Sequence, residues 1–297
     1  KDKFLYEIKS DDYLLSQVSK ETSDKESGTL KISVTGTRTP RKIQNVPAAI
    51  TVIDQETIQQ NGIVELKDLF RYDAAVDLKS ESDGTHNYGQ GDVSIRGMDG
   101  NRILMQRDSI RLPSRYDFGS SYTIGRSEYV DFNSLKAVEI LKGPASSLYG
   151  SDALGGVITY RSLFPEDLLD ANQISSFETT NVYTSRNSGF SNSIKLAGRD
   201  DKTGMEGVLV ISRDYGEEVN VKADDKYIND LESNGLSFYT NLVQNFDDYS
   251  RINLIFENVN KETETIFKEP NLSSYYSDSI EDRSVNRWMG SLGYEFD

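Results

Sequence analysis

From about residue 170 onward, apolar and polar side chains alternate with period two. In "LSFYTNLVQNF" (236–246) Leu236, Phe238, Leu242 and Phe246 share one face, and the other face is mostly polar. "RINLIFENVN" sets Ile252, Leu254 and Phe256 on one side, and "SVNRWMGSLGYEF" does the same with Trp288, Leu292, Tyr294 and Phe296. Successive side chains of a strand point to opposite faces, so this alternation predicts half-buried strands. Six are expected, near 174–185, 190–199, 205–215, 235–247, 250–261 and 284–297. Acidic connections rich in Asn, Asp and Ser separate some of them, as in 215–234 and 260–283. Long alternating strands joined by short turns and long loops fit an outer-membrane barrel. They fit a soluble, secreted β-sandwich with a binding or adhesive role equally well. Texture alone leaves both open.

The first half reads differently. Residues 1–30 are polar and charged apart from "FLY" and "YLL", which predicts a flexible arm ending near Gly28. "KISVTGTR" has strand-forming residues at Ile32, Val34, Thr35 and Thr37, and "PAAITVID" reads as a short buried strand starting at Pro47. Asp54 is placed to cap a helix, with Glu56 in its first turn and Gly62 as its stop. Leu66, Leu69 and Phe70 give a second short helix its apolar face. "VSIRGMDGNRILMQRDSIRL" (93–112) reads as strand, Asp99-Gly100 turn, strand. "SLKAVEILKGP" predicts a helical turn and then a strand stopped by Gly143 and Pro144. Residues 31–165 therefore form one compact α+β unit of short elements, and 166–297 a second, strand-built unit.

Composition narrows the chemistry. There is no cysteine and one histidine, His86, which excludes a disulfide framework, a thiolate site or a multi-His zinc site of the protein's own. No run approaches the roughly 20 apolar residues of a membrane helix. The net charge of −15 is uneven: residues 1–165 carry 21 Lys+Arg and 23 Asp+Glu, and residues 166–297 carry 12 and 25. Such a surface does not suit nucleic acid, which needs basic patches. An enzyme is not indicated: Gly-x-Ser-x-Gly and a Walker loop are absent, and "GQGDVSIRG" (89–97) misses the dinucleotide spacing and precedes a strand. The chain begins at Lys1 rather than Met, which suggests a processed product or an excerpt.

"VEILKGPASSLYGSDALGGVITY" (138–160) separates the two barrel-or-sandwich readings. It resembles the segment that closes the plug domain of TonB-dependent outer-membrane receptors: Val-Glu-Ile, a basic residue, Gly-Pro, Leu-Tyr-Gly, then Ala-x-Gly-Gly-x-Ile. "VTGTRTPRKIQNVPAAITVID" (34–54) resembles the start of that plug, and 93–112 its central hairpin with Arg96 and Gly97. "GGVITYRSLFPEDLL" (155–169) is most similar to the haem and haemoglobin branch. There is one departure. Many relatives have Val-Asp-Gly after the second hairpin strand, where this chain has "QRDSI": Gln106 and Arg107 interrupt an apolar strand, and Ser109 replaces Gly.

The resemblance implies a plug at 31–165 inside a barrel of about 22 strands, of which 166–297 supplies about six. It implies a chain that is the N-terminal part of a larger receptor, with on the order of 350 further residues of barrel. Gly143, Pro144, Tyr149, Gly150, Gly155 and Gly156 are then scaffold for tight turns. The implied activity is iron import through the outer membrane, in contact with its lipid and energised by periplasmic TonB. Ile32, Ser33, Val34 and Thr35 are the candidate TonB box, to be paired by strand addition, or else the first plug strand. The implied cargo is haem, free or from haemoglobin, with a ferric siderophore as the alternative. Haem receptors of this type often place a histidine in the loop after the central hairpin; here 113–133 has none, but it has Arg115, Tyr116, Tyr122, Arg126 and Tyr129. His86 lies in an earlier loop beside Tyr88. Histidine and tyrosinate both ligate ferric haem, and the arginines suit propionates or a siderophore carboxylate.

Overall fold

The computed structural model describes residues 32–33, 35–36, 41–42, 45–46, 48–71, 73–78, 93–113, 130–217, 230–247, 250–266 and 280–296. Among these, six long strands build one antiparallel sheet in sequence order: β10 (Ser175–Thr184), β11 (Gly189–Asp200), β12 (Met205–Glu217), β13 (Asp230–Asn245), β14 (Ser250–Ile266) and β15 (Ile280–Phe296). All six lie within about five residues of the positions expected from period-two alternation.

The polarity of this sheet is inverted relative to a soluble sandwich. Its large apolar side chains face outward: Phe177 is 66% exposed, Trp288 64% and Leu292 75%. Its inner face buries Ser193, Lys195, Ser212, Asn241 and Glu257. In water this arrangement would lose the hydrophobic term and incur the cost of desolvating charges. Against hydrocarbon it is favourable, and it is the pattern of a barrel wall with a polar lumen. The sandwich reading fails here. Phe256 lies tilted against Trp288 at 5.4 Å and meets Phe238 edge-on at 6.1 Å, a cross-strand aromatic row on the outer face. No helix among the described residues is long and apolar enough to cross a membrane; the crossing elements are strands. Four-residue connections, 201–204 and 246–249, join strands at one end; the longer 218–229 and 267–279 leave from the other, together with the four-residue 185–188. Short turns mark the periplasmic side and long loops the outside.

The plug packs on the inner face. Its five-stranded sheet runs β3 (Ile50–Asp54), β8 (Leu135–Lys142), β9 (Gly156–Ser162), β6 (Ile103–Arg107), β7 (Ile110–Arg111), with β6 and β9 parallel and the other pairs antiparallel. Two short helices follow β3: α1 (Gln55–Gln60) and α2 (Leu66–Phe70). Asp54 caps α1 as expected, accepting from the Thr57 N–H at 2.9 Å. The core joins Ile58, Leu69 and Phe70 of the helices to Ile103, Leu135, Val138, Ile140 and Ile158 of the sheet, each nearly or fully buried.

The hairpin expected at Asp99-Gly100 does not form. β5 (Val93–Ile95) pairs instead with β4 (Val76–Leu78). All three β5 residues are buried, and the chain turns at once through Arg96 and Gly97, with φ of 53° and 83°. Asp99 then precedes a 3₁₀ turn over Gly100–Arg102. The tight hairpin lies one strand later, where Asp108 and Ser109 have φ of 45° and 69° between β6 and β7.

The Gly-rich stretch behaves as its residues suggest. β8 ends before Gly143 and Pro144, and α3 (Ser146–Tyr149) is a single turn stopped at Gly150, whose φ is +87°. Gly156 opens β9, and a side chain there would place its Cβ 2.5 Å from the Leu141 carbonyl oxygen and 2.7 Å from Ile95 Cδ1. Lys142, the basic residue of the motif, has its own reason. Its ammonium donates to both carboxylate oxygens of Asp73, at 2.7 and 3.0 Å, and Thr51 of β3 donates to the same carboxylate at 3.0 Å. Burial acts to raise the Asp73 pKa, but Lys142 and the other donors prevail and hold it below the usual carboxylate value.

Candidate functional site

Three places in this structure can act: the N-terminal segment, the contact between plug and wall, and the outer side of the plug. At the first, Ile32–Ser33 forms a two-residue strand, β1, paired with Arg41–Lys42, β2. Thr35 is buried and held at both backbone groups. Its N–H donates to Glu139 Oε2 at 2.9 Å, and its carbonyl accepts from the Tyr149 hydroxyl at 2.9 Å. The Glu of Val-Glu-Ile and the Tyr of Leu-Tyr-Gly thus clip the incoming chain to the plug. Neither role was readable from the sequence, because 104 and 114 residues separate the partners.

Most of the plug–wall contact is made by polar side chains. Gln59 donates to Glu178 at 2.6 Å; Arg186 and Asn187 reach Glu65 at 2.6 and 3.2 Å; Ser193 donates to Asn133 at 3.1 Å. Deeper, Arg107 pairs with Glu257, and the Tyr239 hydroxyl and Asn241 amide both donate to the Leu163 carbonyl, at 2.6 and 3.2 Å. A small apolar cluster of Leu163, Leu169, Val208, Val210, Tyr239, Ile255 and Met289 closes the seam.

Residues 42–157 match the family described as TonB-dependent Receptor Plug Domain. Over 68% of its length the chain is 31% identical to transferrin-binding protein A of Haemophilus influenzae, and over 70% it is 28% identical to a hemin receptor of Yersinia enterocolitica. It spans about a quarter of these relatives: 22% of the first and 28% of the second. The fold superposes on the outer-membrane ferripyoverdine receptor of Pseudomonas aeruginosa with a TM-score of 0.65 at 15% identity, covering 91% of this chain and 35% of that one. The chain belongs to the TonB-dependent outer-membrane receptors. Its relatives include transferrin-binding protein A and a hemin receptor, and its place is the outer membrane of a Gram-negative bacterium.

The receptor's ligand candidates His86, Tyr88, Arg115, Tyr116, Tyr122, Arg126 and Tyr129 lie outside the described residues, as does Val34 of the N-terminal segment. Their flanks are fixed. Val130 lines a cavity of about 70 Å³ with Tyr215, Ser233 and Lys261, near the strand ends from which 218–229 and 267–279 leave. That space holds a few waters, far below the several hundred Å³ of a small-molecule site.

Asp131 also borders this cavity. It is buried, accepts from Ser212 at 2.8 Å and from the Asn133 N–H at 3.0 Å, and its pKa is pushed up to about 6, by burial first and by nearby Asp214 second. The folded state therefore binds this proton more tightly than the unfolded chain does. The resulting cost is absent below about pH 4, the ordinary Asp value, and grows as pH rises through 6. Asp131→Asn keeps an acceptor for the Asn133 N–H, lets its amide donate to the Ser212 hydroxyl, and removes the titration. It is expected to raise the Tm of the receptor in detergent at pH 7.5, by an amount equivalent to roughly 3 kcal/mol, and to change it little at pH 4. Thermal scans at the two pH values check this.

Proposed function

We propose that the receptor imports an iron-carrying ligand across the outer membrane, that the ligand is haem, free or taken from haemoglobin, and that TonB supplies the work through Ile32–Thr35. One observation carries the transport reading: a folded plug seated on the lumen face of a lipid-facing wall. A ligand cannot pass a seam sealed by buried ion pairs and side-chain hydrogen bonds without rearrangement of the plug. The N-terminal segment reaches the plug at β3, an edge strand of its sheet, and such a segment suits pairing by strand addition, in which backbone bonds carry the affinity.

For the cargo, support comes from the hemin receptor among the relatives and from the side chains available on the plug. Histidine binds iron as neutral imidazole near pH 7. Tyrosine must first lose its proton, which ferric iron and a neighbouring Arg115 or Arg126 favour. A ferric siderophore is the second reading; the same arginines suit its carboxylates, and the ferripyoverdine receptor shares the fold.

The test is the absorption spectrum of ferric haem bound to the complete receptor. His86→Ala or Tyr122→Phe should shift it, and the variant that does so names the iron ligand. A complete receptor that ignores haem and haemoglobin but binds a ferric siderophore tightly would overturn the haem reading and leave the transport reading intact.

A further inference from the structure

Arg107 is the residue at which this chain departs from the pattern it resembles. A valine-like position carries a guanidinium, and the plug fold does not demand it. The side chain is fully buried, and so is its partner Glu257 on the wall. Two such charges are removed from water only at a cost that pairing must offset. Every face of the guanidinium is engaged. Nε donates to Ser162 Oγ at 2.7 Å, and Nη2 donates to Ser134 Oγ at 3.0 Å and the Ser134 carbonyl at 3.3 Å. Nη1 donates to Glu257 Oε1, and the group lies over the Tyr239 ring, 5.0 Å from its centroid. The second oxygen of Glu257 faces Arg287 Nη2 at 2.8 Å. One side chain therefore gathers β6, the end of β9 and the turn before β8 on the plug, and β13, β14 and β15 on the wall.

Its position in the sheet gives this cluster a direction. The strand order is β3-β8-β9-β6-β7, so Arg107 on β6 is three strands from β3, the edge at which the N-terminal chain arrives. The β3 side is held differently. Thr35 is clipped by two hydrogen bonds, β3 by five residue pairs with β8, and the helices after β3 by half-exposed contacts such as Glu65–Arg186. Exposed ion pairs hold weakly, whereas a buried pair is costly to break because each partner is left charged and unpaired.

We propose that Arg107 is the plug's seating residue: its link to Glu257 fixes the β6–β9 half of the plug to the wall, so that force applied through the N-terminal segment opens the plug along β3 instead of unseating it. The direction of the force rests on the TonB reading above; the seat itself does not.

The experiment uses the complete receptor in cells, with vancomycin, which is too large to cross an intact outer membrane, as the probe of an unseated plug. Arg107→Met keeps the volume and removes the charge. In cells with TonB it should lower the inhibitory concentration of vancomycin about tenfold, one decade in the closed-to-open ratio, and in cells lacking TonB it should change nothing. Arg107→Lys keeps a positive charge facing Glu257 without disturbing the Glu257–Arg287 pair, and it should retain most of the barrier. Surface folding is followed in parallel by heat-modifiable gel mobility, which Arg107→Met should leave unchanged. Unchanged vancomycin sensitivity in Arg107→Met cells with TonB would overturn the proposal. So would equal leakage with and without TonB, which would make Arg107 an ordinary folding contact. A leak abolished by loss of TonB but not by Val34→Pro would uphold the seat and move the TonB-pairing segment away from Ile32–Thr35.

Discussion

Gly156→Ala in the complete receptor is expected to leave almost no folded plug. The added Cβ would lie 2.5 Å from the Leu141 carbonyl oxygen and 2.7 Å from Ile95 Cδ1. Neither can yield. Leu141 sits in the β8–β9 ladder opposite Val157, and Ile95 is fully buried. Overpacking of a core by one carbon typically costs about 1–3 kcal/mol, and a clash with backbone inside a ladder belongs at or beyond the upper end of that range. The loss spreads, because β9 is the central strand to which both β8 and β6 pair. Gly290→Ala is the control: a Cβ there meets nothing within 4 Å. Folded receptor in the membrane, measured by heat-modifiable mobility, should fall sharply for the first variant and stay level for the second. Equal yields would mean that the close approach at Gly156 relaxes freely.

Val34→Pro should abolish transport and spare ligand binding. Proline fixes φ and removes the backbone donor, so a strand added along Ile32–Thr35 loses a bond and its geometry. The ligand candidates at 79–92 and 114–129 are remote from it in sequence. Growth on the cognate iron source, measured beside surface binding of the same ligand, separates the two effects. Normal growth would place the TonB box elsewhere, most simply in the arm before Gly28.

The wall was legible because its signal is local and repetitive. Alternation from Phe177 to Phe296 fixes strand, face and approximate ends, and the structure added which face meets lipid. Asp54, Lys142-Gly143-Pro144 and Ser146–Tyr149 were legible for a similar reason: caps and turns depend on neighbours in the chain. Pairing over distance was not. Asp99-Gly100 has the composition of a hairpin turn, yet β6 finds its partner in β9, and no spacing rule announces a parallel neighbour beyond two intervening strands. Arg107 stood out as an anomaly in an apolar strand, while its partner Glu257 looked like any of the many acidic residues of 166–297. The clip at Thr35 escaped notice because Tyr149 read as scaffold and Glu139 only as the middle of Val-Glu-Ile.

The one parallel pair among the described strands of the plug has a kinetic consequence. Each wall strand pairs with the next one along the chain, by a hairpin whose loop is short or of moderate length. Ile103 must instead find Gly156, and Arg107 must find a glutamate 150 residues further on. Closing long loops costs entropy before any contact repays it, and chains rich in distant contacts fold slowly. The hairpins of the wall are therefore expected early and the seat of the plug late. Until it closes, Glu257 has Arg287 beside it but lacks Arg107, so the last step of folding is also the step that completes this buried charge cluster.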